Sequence, residues 1–251
     1  MRSAKLFSAL TAAGLLLAST ARADDRSEDI DDLDKGNYGN EYMMLTLNGA
    51  QAWGKLRDRD AGTEQGYSRR AGQIEFRGGG FFGQNYFRTL IGLEGAVAFG
   101  VLGKPSYDEP TFTRPPQTEG AAPVVGHKAY EDQSWYYLRG DFAFTYGLLR
   151  WNRVVPGRLV GGLGAGFEVA PRWPAADGSD GYGLLLLRLQ LWPARGVGVH
   201  LTATTTIGSY RFEGLVGLAG WTVGGRLRLY DAARNDKNQE TQVEVLLGRM
   251  F

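Results

Sequence analysis

The chain contains no cysteine. That excludes disulfide staples, thiolate metal sites, a cysteine nucleophile and a lipidated N-terminal cysteine. Histidine occurs twice, at His127 and His200, which leaves little material for imidazole chemistry. A surplus of one charge sign is also missing. The 28 basic and 27 acidic residues leave a formal net of +1, too little for a general nucleic-acid binder. Proline is sparse, with nine in 251 residues. Each falls outside or at the end of the periodic segments described below, where a missing backbone donor does least harm. Glycine is what the chain has in excess, 37 residues, about twice the usual ~7%. A hydrophobic share of 43% and a charged share of 22% belong to a folded chain. The length suits one large domain or two small ones.

Long apolar runs are absent apart from one short stretch. Arg2 and Lys5 precede the 13-residue run Leu6–Ala18, and Ala21-Arg22-Ala23 follows as a small-x-small site. This is the pattern of a secretory signal peptide spanning residues 1–23. Thirteen residues fall short of the ~20 that a spanning helix requires. Cleavage there leaves 25 basic and 27 acidic residues. Residues 24–40 open with seven acids between Asp24 and Lys35, and such a run repels itself and stays solvated and disordered. Asp29, Asp31, Asp32 and Asp34 lack the spacing, glycine and closing glutamate of an EF-hand loop.

From Glu41 to Phe251 the chain alternates with period two. Phe87–Val101 places Ile91, Leu93, Val97, Phe99 and Val101 on one face, with Arg88 and Glu94 opposite. Trp135–Gly147 sets Tyr136, Leu138, Phe142, Phe144 and Tyr146 against Arg139, Asp141 and Thr145. Leu159–Val169, Gly183–Trp192, Val197–Ile207, Tyr210–Leu218 and Trp221–Tyr230 repeat the pattern, as do Glu41–Trp53, Arg69–Arg77 and Thr241–Phe251. Strict alternation at this length marks β-strand. Ten strands of about 9–13 residues match the ~9–11 that a tilted strand needs to cross the hydrocarbon layer. The segments 56–68, 104–132, 170–182 and 231–240 read as long polar connections. Those at 193–196 and 219–220 read as tight turns, and 147–157 as a longer apolar connection.

A sheet with one wholly apolar face must hide it in a shared core or turn it to lipid. The opposite face here is rich in glycine, alanine and threonine, which suits a narrow lumen better than a solvent surface. The fold expected is therefore all-β, a single antiparallel transmembrane barrel of about ten strands, with eight or twelve as alternatives. Tyr42, Trp53, Phe87, Phe99, Tyr136, Tyr146, Trp192, Tyr210, Trp221 and Phe251 lie near strand ends and are expected to form interfacial girdles. With its signal peptide, dyad repeat and lack of cysteine, the chain resembles bacterial outer-membrane β-barrel proteins of the small OmpA/OmpX-like class. The closing strand adds to the likeness, with Val243, Val245, Leu247 and Phe251 on one face. The resemblance implies insertion in the outer membrane of a Gram-negative cell, both chain ends in the periplasm, and recognition of that strand by the barrel-assembly machinery. Arg249 departs from the pattern, since an apolar residue is usual there.

The inward face is expected to carry Glu75, Arg77, Arg88, Glu94, Arg139, Asp141, Glu168, Arg188, Arg211, Glu213, Arg226, Arg228 and Glu244. Near-equal numbers of both signs in a narrow interior point to paired charges closing the lumen. A narrow porin-like channel for small solutes is the alternative, and a hydrolase at the rim the third reading. No enzyme is expected. His200 sits by a tight turn, and His127 lies in the long loop without a serine or second histidine at a telling spacing. Neither glycine run, 78–80 or 161–166, has the strand–loop–helix setting of a phosphate loop, and no metal or cofactor motif is present. Outer-membrane lipid is the expected surrounding. The loop 104–132 is the candidate for an extracellular partner, and nucleic acid is not expected as one.

Overall fold

The computed structural model describes residues 41–58, 63–84, 90–108, 111–112, 136–151, 154–173, 176–206, 208–230 and 238–251. The signal segment 1–23, the acidic segment 24–40, Phe87, Arg88, His127 and most of the loop 104–132 lie outside the described residues. Ten long strands form the body: β1 (Glu41–Asp58), β2 (Thr63–Gln84), β3 (Leu90–Leu102), β6 (Tyr136–Trp151), β7 (Gly157–Trp173), β8 (Ala176–Ala194), β9 (Val197–Thr206), β10 (Ser209–Leu218), β11 (Trp221–Tyr230) and β12 (Asn238–Met250). Two short ones, β4 (Ser106–Tyr107) and β5 (Thr111–Phe112), pair with β2. No helix among the described residues is long and apolar enough to cross a membrane, which says nothing of a chain that crosses with strands.

The long strands run antiparallel to their chain neighbours, and β1 pairs with both β2 and β12, so the sheet closes on itself. Closure removes the unpaired edges that hydrocarbon would not tolerate. Followed from Phe212 one way around the ring, the pairing reaches Ile91 on β3. Followed the other way it reaches Arg70, whose carbonyl accepts from Gly103 N. The twelve-residue stagger between Ile91 and Gly103 requires strongly tilted strands, roughly 35–45° in barrels.

At one end lie both termini of the described barrel and the short turns. There Ala219 and Gly220 both have positive φ, 49° and 83°, as a two-residue turn matched to the strand twist demands. The turn at Arg195-Gly196 is equally short, with Gly196 at φ 73°. At the other end β1–β2 and β7–β8 extend as tall hairpins, whereas β9–β10 stops early.

Side chains alternate as the period-two pattern demands. Leu163 is 57% and Val245 65% exposed on the outside, whereas Glu75 is 0% and Arg226 1% exposed within. A closed sheet with hydrocarbon-facing side chains around its whole perimeter and ions in its middle is stable only with lipid outside. The molecule is thus a membrane-spanning barrel of the outer-membrane type.

Several expectations need correction. The connections 56–68 and 170–182 are largely strand: β1 continues to Asp58, β2 starts at Thr63, β7 runs to Trp173 and β8 starts at Ala176. The paired backbone carries on beyond the apolar belt, because ending the ladder there would leave hydrogen-bonding groups to be satisfied one by one. The connection 147–157 shrinks likewise, with β6 reaching Trp151. The segment after β3 is not wholly irregular, since Ser106–Tyr107 and Thr111–Phe112 line up along the tall part of β2. Tyr42 and Trp192 are not girdle residues. They are 9% and 1% exposed and point inward, because their positions share the parity of Met44 and Gln190. Trp53, Phe99, Tyr136, Tyr146, Tyr210, Trp221 and Phe251 do face outward.

Candidate functional site

The site is the lumen itself. Inward positions on adjacent strands project into one narrow space, so ionic side chains from opposite walls meet. Glu75 on β2 sits at the centre. Its Oε1 accepts from Arg77 Nη2 at 2.5 Å and Arg226 Nη2 at 2.9 Å, and its Oε2 from Arg139 Nη2 at 2.7 Å and Arg226 Nη1 at 2.8 Å. Arg226 on β11 also donates to Glu213 Oε2 at 2.6 Å and Glu244 Oε2 at 2.9 Å. Arg77 Nη1 donates to Glu213 Oε1 at 2.6 Å. Five strands are tied together through this cluster, and β6 and β11 stand on opposite walls.

Other pairs cross the lumen around it. Arg228 Nη2 on β11 reaches Glu168 Oε2 on β7 at 3.0 Å, and Tyr230 also donates to Glu168. Arg211 Nη1 on β10 meets Asp141 Oδ2 on β6 at 2.9 Å, and Tyr182 donates to the other oxygen at 2.5 Å. Arg188 on β8 meets Glu94 on β3 at 2.7 Å, and Tyr42 donates to the same carboxylate. Every inward charge expected from the sequence, Arg88 aside as outside the described residues, lies in this space.

Three further ionic residues belong here that alternation over the shorter segments missed. Arg69 on β2 donates to Glu240 on β12 at 2.6 Å, and Tyr67 donates to the same oxygen. The ring of Tyr67 lies over Gly54, where a Cβ would come within 2.3 Å of it. Arg158 on β7 donates to Gln190 Oε1 and lies between the rings of Phe81 and Trp192, at 4.6 and 5.1 Å. Parity was the available signal. Arg69 matches Glu75 and is the first residue of its segment, whereas Glu240, which matches Glu244, and Arg158, which matches Val160, fall one residue outside theirs.

Apolar residues also point inward, at positions that share the parity of the inward charges. Tyr42, Met44, Leu215, Leu246 and Met250 pack together inside the barrel, on strands β1, β10 and β12. Leu184 and Leu186 pack against Ala143 on the facing side. The small inward residues Gly162 and Gly164 leave space for this packing: a Cβ at Gly162 would meet Leu186 at 2.8 Å.

No family model matches the chain, and no curated protein matches it. Solved structures give distant likenesses. The attachment invasion locus protein Ail of Yersinia pestis aligns at 11% identity and TM-score 0.33, covering 84% of this chain and 98% of that one. The translocator domain of the autotransporter NalP from Neisseria meningitidis aligns at 12% and 0.38, covering 88% and 92%. OprB of Pseudomonas putida aligns at 10% and 0.27, covering 84% and 93%. With scores this low, the architecture rests on the strand pairing and the lipid-facing belt.

His200 is buried on β9. Its Nδ1 lies 3.1 Å from Gln190 Nε2, and its ring meets Trp192 edge-on at 6.2 Å. Among the described residues, no group of three or more His, Asp or Glu side chains is arranged to hold a metal. Arg249 faces outward and its guanidinium lies 5.3 Å from the Trp221 ring. Its stem lies along the belt and its charge sits where an interfacial aromatic is found.

Proposed function

We propose that the protein is a structural or surface-interaction barrel of the outer membrane whose lumen is closed by its own paired charges, and that it is not an enzyme. The observation that carries this is the central cluster. Arg226 and Glu75 each engage three partners of opposite sign on different strands. Opening a path through it would leave charges without partners in a poorly solvated space, at a cost of several kcal/mol each. In planar bilayers the purified barrel is expected to give no discrete current steps. Steps whose size responds to Arg226→Gln or Arg228→Gln would defeat this reading. They would instead support the second one, a narrow channel, for which the open-sided cavity along Thr202 and Thr204 is the supporting feature.

Two contacts complete the proposal. Val243, Val245, Leu247 and Phe251 all face outward on the last strand and its end, where the barrel-assembly machinery would read them. Phe251→Ala is expected to slow assembly in cells while leaving refolding from urea into detergent unchanged. The loop 104–132 is the segment offered to an extracellular partner. Deleting residues 113–135 is expected to spare the barrel and remove attachment to that partner.

A further inference from the structure

Toward the end that carries both termini and the short turns, the lumen is filled by a different kind of side chain. Tyr42 is the second residue of β1, Arg158 the second of β7 and Met250 the last of β12. Phe81 stands three residues before the end of β2, and Trp192 two before the end of β8. Glu75, by contrast, lies nine residues from that end of β2, and Glu168 eleven from the start of β7. We infer that the side chains at the strand ends form a second seal, an aromatic and apolar floor that closes the periplasmic mouth independently of the ions above it. The inference rests on the closed-lumen reading proposed above and adds that two unlike barriers stand in series.

Three observations carry it. The first is convergence. The Arg158 guanidinium lies between the rings of Phe81 and Trp192, and it donates to Gln190 Oε1. Trp192 meets the His200 ring edge-on. On the facing side Tyr42, Met44, Leu215, Leu246 and Met250 pack together. Side chains from seven of the ten long strands thus fill the mouth.

The second is burial. Trp192 and Arg158 stand beside the turns, yet they are 1% and 2% exposed. Water therefore reaches them neither from the periplasmic side nor from the lumen. The turn beneath is pinned as well: Trp192 N donates to the Pro156 carbonyl at 2.9 Å, and Trp151 Nε1 to the Val155 carbonyl at 2.9 Å.

The third is chemistry. Among the described residues, the ion pairs gathered at Glu75 and Arg226 involve none of the floor side chains. Two ring faces and an amide oxygen hold Arg158, an arrangement strengthened by exclusion of water. An apolar constriction of this kind excludes ions by staying dry. Removing charge from the centre gives the floor no reason to take up water.

Planar-bilayer recordings on variants that retain the β-barrel circular dichroism test the series arrangement. Glu75→Ala with Arg226→Ala removes one charge of each sign from the centre and is expected to give no current steps. Phe81→Ala with Trp192→Ala cuts the floor and is expected to be silent too, because the central pairs remain. All four substitutions together are expected to give discrete steps. Steps from the central pair alone would overturn the floor as a barrier, and so would silence of the folded fourfold variant. Steps from the floor pair alone would overturn the series arrangement by showing that the paired charges do not hold. Steps from the unaltered barrel would defeat the closed-lumen reading itself, and this inference with it. If the fourfold variant does not fold, Trp192→Ala added alone to the central pair is judged by the same rule.

Discussion

Glu75 and Gly164 show how differently one residue can hold this barrel. Glu75 is wholly buried and gathers Arg77, Arg139 and Arg226. Removing its charge leaves three guanidinium groups facing one another, so Glu75→Gln is expected to cost about 3–5 kcal/mol, measured by urea unfolding in detergent. The double variant with Arg226→Gln is expected to lose less than the sum of the two single losses, because the pair is coupled. Gly164 acts through space rather than charge. A Cβ there would stand 1.9 Å from the Phe142 carbonyl oxygen, which is backbone and cannot yield cheaply. Gly164→Ala is expected to destabilise by about 1–3 kcal/mol. Gly49, with nothing within 4 Å of its Cβ position, is the control. Gly49→Ala is expected to be neutral or to stabilise by a few tenths of a kcal/mol to about 1 kcal/mol.

At the scale of the strand, alternation is the governing rule, and it decides how much the sequence alone reveals. Ten strands and the face of nearly every residue follow from period two, because lipid on one side and a mostly polar lumen on the other impose it, most regularly along β10. The tall hairpins were hidden for the same reason. Beyond the belt no solvent contrast remains to mark the two faces, so Gln65 and Tyr67 sit in a stretch that composition assigns to a loop. The apolar residues Leu215, Leu246 and Met250 share the parity of the inward Glu213 and Glu244, but their packing partners come from other strands, so a pattern read along one strand cannot show what they touch. Tyr42 and Trp192 were misplaced by proximity to a strand end when parity already turned them inward. The rule also sets an asymmetry of substitution. Leu163→Arg, on the lipid face of β7, is expected to cost about 2–4 kcal/mol near the bilayer midplane, measured by folding into lipid vesicles. The neighbouring Gly162→Ser, directed to the lumen, is expected to act through crowding against Leu186 and not through polarity.

For the whole molecule, closure and filling are coupled. The ring is completed by β1 against both β2 and β12, and the lumen is filled by pairs that mostly join distant strands. The bridges Arg228–Glu168, Arg211–Asp141 and Arg188–Glu94 therefore act as cross-braces. An arrangement of this kind holds only if hydrocarbon surrounds it. The absence of cysteine allows a clean test, since single cysteines can be placed one at a time along β8 from Leu184 to Leu189 and spin-labelled in the barrel folded into lipid vesicles. Labels at 185, 187 and 189 are expected to collide freely with dissolved oxygen and those at 184, 186 and 188 to be shielded, a strict period of two. Equal accessibility to a water-soluble collider at all six positions, or a processed chain that stays dissolved and folded without detergent, would contradict the outward-facing belt.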